Sequence, residues 1–158
     1  INAITKAGVM RLYHQAVFLL LMSVSTHGFA EATTHSSDNI LEEMFTWWNE
    51  LMISEREITE ESFASFYTEN AVIIINGKEK VRGVKNMPAF FRENRDRTEF
   101  IEIEMPFREK FVSGNKIFTY HTIRAIRNGE EKISHNMGYA LIEKGKISYV
   151  SLARFGLE

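Results

Sequence analysis

From Phe63 to Phe91 the chain reads FASFYTENAVIIINGKEKVRGVKNMPAFF, and few folds accept that order of helix, apolar strand, tight hairpin and helix. Residues 71–75 carry no polar side chain, which is the pattern of a strand buried on both faces. Asn76-Gly77 supplies the two positive φ values of a type I′ hairpin turn, and residues 80–83 return from it. A helix is predicted after Gly83, with Met87, Phe90 and Phe91 turned inward; Pro88 is tolerated because it falls in the first turn. Before the strand, Thr59-Glu60-Glu61-Ser62 caps a helix whose apolar side is Phe63, Phe66 and Tyr67.

Upstream, Leu41, Met44, Phe45, Trp48, Leu51 and Met52 recur at spacings of three and four, predicting a helix from residue 40 to about 54 with one buried face. Downstream, alternation replaces helical periodicity. Strands are predicted over 99–107, 116–127, 132–143 and 146–155, joined by the glycine turns Ser113-Gly114-Asn115, Asn128-Gly129 and Lys144-Gly145. Strands this long cannot share three helices between both faces of one flat sheet. The fold class expected is α+β: a cone in which a strongly curved antiparallel or mixed sheet, of the cystatin-like roll type, wraps around about three N-terminal helices. Such a cone leaves a blind pocket between helices and sheet.

With 158 residues, 44% of them hydrophobic, the chain is long enough for one sizeable core. Lys and Arg are interspersed with Asp and Glu at a net charge of -2, which argues against a nucleic-acid surface. Cysteine is absent, which excludes disulfides, thiolate catalysis and thiolate metal sites. Phosphate-loop, nucleophile-elbow and His-Glu zinc spacings are likewise absent, so no metal and no cofactor is expected.

The first thirty residues have their own character. Lys6 and Arg11 precede the apolar run from Ala16 to Val24, small and polar residues follow to Ala30, and no acidic residue occurs before Glu31. This is the layout of a secretory signal peptide over 1–30, with a polar flexible leader over 31–39 and a single domain over 40–158. The apolar run is short for a membrane span, so no stable anchor is expected and the location expected is secreted or periplasmic. The alternative is that the run forms a helix packed on the domain.

Three pieces carry a resemblance to a known family: Phe66-Tyr67-Thr68-Glu69-Asn70-Ala71-Val72 at a helix-to-strand junction, Gly83 ahead of the third helix, and Glu143-Lys144-Gly145-Lys146-Ile147 at a terminal turn. Together, over about residues 40–155, they resemble the nuclear transport factor 2-like superfamily, which includes ketosteroid isomerases, scytalone dehydratase and SnoaL-like polyketide cyclases. The resemblance implies the cone fold and a pocket, and it leaves the activity open because this fold hosts many functions. It also exposes two departures. The base of the ketosteroid isomerases would fall near Ile75 and the protonated acid of their oxyanion hole near Met137, so neither carboxylate is present.

The remaining chemistry is centred on histidine. His121 and His135 lie on neighbouring strands, and members resembling scytalone dehydratase place His and Tyr side chains in the cavity, which makes His121, His135 and Tyr139 the catalytic candidates. A neutral imidazole can move a proton near pH 7. The register decides whether the two meet. A two-residue turn at Asn128-Gly129 pairs His121 with Asn136 and sends His135 to the opposite face, whereas a three-residue bulged turn puts both on one face.

Ligand-binding candidates are Trp47 and Trp48, which cannot both face the core, together with Tyr120, Arg124 and Arg154. Each arginine can hold a ligand carboxylate or pair with a glutamate. Along residues 116–127 neither alternating set of side chains is clearly a solvated one, so a homodimer burying the outer, convex sheet face is expected. Three functions are compatible with these residues: an exported SnoaL-like pocket protein binding a small apolar or aromatic molecule without cofactor, a lyase or isomerase using His121 with Tyr120, Tyr139 or Tyr149, and a dimeric interaction module with a filled pocket.

Overall fold

The computed structural model describes residues 39–156; the signal peptide expected over 1–30 and nearly all of the leader lie outside the described residues. The element order is α1 (Ile40–Ile53), α2 (Glu60–Ala64), β1 (Tyr67–Ile75), β2 (Lys78–Arg82), a 3-10 turn at Val84–Asn86, α3 (Met87–Asp96), β3 (Phe100–Ile103), β4 (Glu109–Ser113), β5 (Lys116–Arg127), β6 (Glu130–Glu143) and β7 (Lys146–Phe155). These strands form one seven-stranded mixed sheet in the order β2-β1-β7-β6-β5-β3, with β4 also on β5. No described helix is long and apolar enough to cross a membrane.

Helix α1 buries Ile40, Leu41, Met44, Trp48, Leu51 and Met52, the face read from the spacing, and ends where Ser54 Oγ donates to the Leu51 carbonyl at 3.0 Å. Thr59 caps α2 by accepting from the Ser62 amide at 3.4 Å. Gly83 takes a φ of 80°, a conformation that side chains disfavour, while its amide bonds the Ala71 carbonyl at 2.8 Å and turns the chain into α3.

Two features were not foreseen. Strand β1 runs parallel to β7, which brings the end of the chain beside the helix-to-strand junction and closes the core. The strand expected over 99–107 stops at Ile103, and β4 then resumes along the same edge of β5. Strand β4 is largely exposed, so its sequence lacks the alternation that marks a half-buried strand.

Asn49 secures α1 to the edge of the sheet. Its Nδ2 donates to the Ile103 carbonyl and its Oδ1 accepts from the Ile103 amide, both at 2.8 Å. One side chain thus occupies the donor and acceptor of an edge strand, which would otherwise be open to another chain. Strand β7 passes so close to Gly138 that a Cβ there would lie 1.9 Å from the Ser151 carbonyl oxygen.

Candidate functional site: a cationic cavity

The Asn128-Gly129 turn has two residues, with φ of 53° and 74°, and Arg127 pairs directly with Glu130. Register then follows without a bulge along β5 and β6. His121 pairs with Asn136, and Asn136 pairs with Arg154 on β7, so these three side chains form one row across the concave face. His135 pairs with Thr122 and falls on the outer face.

The concave face, α1 and α3 line a cavity of about 130 Å³. Its walls include Leu41, Met44, Phe45 and Trp48 of α1, Phe90 and Phe91 of α3, and Ile73, Ile75, Ile101, Ile103, Ile123 and Leu152 of the sheet. Ile75 therefore does line the cavity, as an apolar side chain. Met137 does not: the inward residue beside it is Asn136, which is fully buried.

His121 is 1% exposed, its Nδ1 lies 3.2 Å from Thr119 Oγ1, and Phe45 and Phe107 pack on its ring at 5.1 and 5.9 Å between centroids. Burial, with the charge of Arg154 adding to it, lowers its pKa to about 4, so the imidazole is neutral at pH 7. Arg154 donates from Nε to Asn136 Oδ1 at 2.9 Å, and its own pKa is lowered by burial and by Arg127. Tyr67 points its hydroxyl at Met44 Sδ, 3.7 Å away, and burial raises its pKa.

Arg127, Lys132 and Arg154 all line the cavity, and no Asp or Glu does among the described residues. Lys132 has Glu130 at 3.0 Å. Arg127 Nε and Trp48 Nε1 are buried with no hydrogen-bond partner among the described residues. The cavity is thus rich in donors and poor in anionic acceptors.

Of the candidates read from sequence, His121, Trp48 and Arg154 line the cavity. Five others have their rings or charged ends elsewhere. Strict alternation along β5 and β6 puts His135, Tyr120 and Arg124 on the outer face, where the Tyr120 ring lies 6.0 Å from His135 and Arg124 pairs with Glu131 at 2.5 Å. Tyr139 borders the cavity, yet its ring is turned outward against Tyr149 at 5.9 Å, near Lys116. Trp47 packs on Phe63 and Phe66 outside the cavity.

Sequence reasoning missed Asn136, Thr119, Ser134, Arg127 and Lys132. The inward residues of β6 are Lys132, Ser134, Asn136, Gly138 and Ala140, while Ile133 and Met137 face outward, 42% and 41% exposed. That pattern inverts the usual apolar-inside rule, and the inversion itself was the available signal.

Solved structures share a layered arrangement of this kind. An NTF2-like protein of unknown function from Exiguobacterium sp. 255-15 superposes with a TM-score of 0.61 at 16% identity, covering 73% of this chain and 98% of that one. The chain has the nuclear transport factor 2-like fold. An LEH-like epoxide hydrolase of M. tuberculosis gives a TM-score of 0.60 at 13% identity, over 75% of this chain and 82% of that one. IdmH of Streptomyces antibioticus, assigned as a polyketide cyclase, gives 0.60 at 10% identity, over 76% and 92%. No family model and no curated protein sequence matches the chain. At these identities, the nuclear transport factor 2-like fold is what is shared, and chemistry has to be argued from the cavity.

Proposed function

We propose that the domain is a cofactor-free binding protein of the SnoaL-like type, which holds a small, largely apolar or aromatic molecule in the cavity between α1, α3 and the concave sheet. The observation that carries this reading is a largely apolar-walled cavity with Ile75 where a catalytic base would stand. The space left between these walls also argues against an interaction module whose pocket is filled by its own side chains.

A second reading, a lyase or isomerase acting through His121, is supported by the placement of that ring in the cavity. It is weakened by two facts. An imidazole with a pKa near 4 is a poor base at pH 7. The tyrosines expected to partner it, Tyr120, Tyr139 and Tyr149, stand with their rings on the outer face.

The binding reading is tested with the neutral aromatic 2-naphthamide, followed by calorimetry and by quenching of tryptophan fluorescence. Saturable binding with a dissociation constant of about 100 μM or tighter is expected from the size of the probe. Ala125→Trp, which fills the cavity from β5, should abolish it. Wild-type protein that saturates with neither 2-naphthamide nor its carboxylate analogue 2-naphthoate up to the solubility limit would refute the reading. We further propose that the chain is exported; N-terminal sequencing of the protein from its native host should give a start at or near Glu31, and retention of Met10 would refute export.

A further inference from the structure

We propose that the ligand is an amphiphilic anion, an apolar or aromatic body bearing one carboxylate, and that Arg154 holds that carboxylate. This rests on the binding reading above and names the chemical class of what is bound.

Three observations converge. First, the cavity is lined by two arginines and a lysine and by no carboxylate among the described residues. Cations in an apolar enclosure lose solvation, and an anion that enters with the ligand restores it. Second, Arg154 uses Nε on Asn136 Oδ1, which orients the guanidinium, and neither of its terminal nitrogens has a hydrogen-bond partner among the described residues. A guanidinium has five N–H donors in a planar fork, and a carboxylate is the acceptor that matches two of them at once. Third, the unpartnered buried groups of the cavity wall, Arg127 Nε and Trp48 Nε1, are donors. A ligand rich in acceptors satisfies them; a neutral hydrocarbon does not.

His121 fits the same picture. It faces Arg154, and its neutral ring avoids adding a further positive charge to the row.

The test compares 2-naphthoate with its neutral isostere 2-naphthamide, titrated into the full chain at pH 7 and low salt. Naphthoate should bind at least about tenfold more tightly, the scale of one charge-assisted hydrogen-bonded contact. In Arg154→Gln that preference should fall below about twofold. Equal affinity of the wild type for both probes, or an undiminished preference in folded Arg154→Gln, would overturn the assignment and leave the binding reading intact. Failure of both probes to bind the wild type would remove both. Should Arg154→Gln not fold, the wild-type comparison decides: a tenfold preference supports the assignment and parity overturns it.

Discussion

Asn136 accepts from Arg154 Nε at 2.9 Å across the β6–β7 ladder, and the acceptor is a neutral amide in a position from which a carboxylate would form an ion pair. The amide fixes the direction of the guanidinium without cancelling its charge. His121, in the same row, is kept neutral chiefly by burial, with a further contribution from that charge.

Replacing Asn136 by Asp should cancel it. The new carboxylate pairs with Arg154, the pKa of His121 rises from its depressed value, and preference for an anionic probe is lost. Histidine ring resonances followed by NMR against pH report the first effect, and the naphthoate titration reports the second. An unmoved His121 titration in a folded variant would show that the charge of Arg154 adds nothing to the effect of burial.

Stability should depend on pH through His121. The unfolded imidazole takes up its proton near pH 6.5 and the folded one only near pH 4. Between those values the unfolded chain binds more protons, so the contribution is complete above about pH 6.5 and is lost as pH falls towards 4, by up to about 3 kcal/mol. Urea denaturation across this range measures the slope. In His121→Gln the difference in stability between pH 7 and pH 4.5 should shrink by most of that amount, and an identical slope in both proteins would be the contrary result.

Gly138 should resist every substitution. A Cβ there would sit 1.9 Å from the Ser151 carbonyl oxygen and 2.9 Å from the Leu152 Cα, both main-chain atoms of β7 that cannot yield as a side-chain tip can. Gly138→Ala is expected to cost about 3 kcal/mol or more, the upper range for an overpacked site. Denaturant midpoints compared with the wild type test this; a loss below about 1 kcal/mol would mean that the ladder relaxes easily.

Self-association is predicted through the outer face. Ile133, Met137 and Phe155 stand out there, Phe155 being 46% exposed, while polar residues of the same strand line the cavity. Apolar surface displayed on a sheet face favours pairing with a second copy. Light scattering at micromolar concentration should give the mass of a dimer, and Ile133→Glu with Met137→Glu should give a monomer that still binds the naphthyl probes. A monomeric wild type would count against the interface.

Much of the fold was legible from local signals. Apolar spacing determined α1, and Asn-Gly and Lys-Gly pairs determined two-residue turns with positive φ at both positions. Once the Asn128-Gly129 turn has two residues, the opposition of His121 and His135 follows from the two-residue period of a strand. The sequence by itself could not say which of those two faces would be the inside. Strands β5 and β6 carry apolar residues on both sides, and on β6 the more polar set is the buried one. That choice was made by long-range contacts: the parallel pairing of β1 with β7, the bond of Asn49 to Ile103, and the approach of β7 at Gly138, which together curve the sheet around α1. Burial, and with it the neutrality of His121 and the separation of Arg154 from any carboxylate among the described residues, is a property of that enclosure and exists only once the strands and helices have closed on one another.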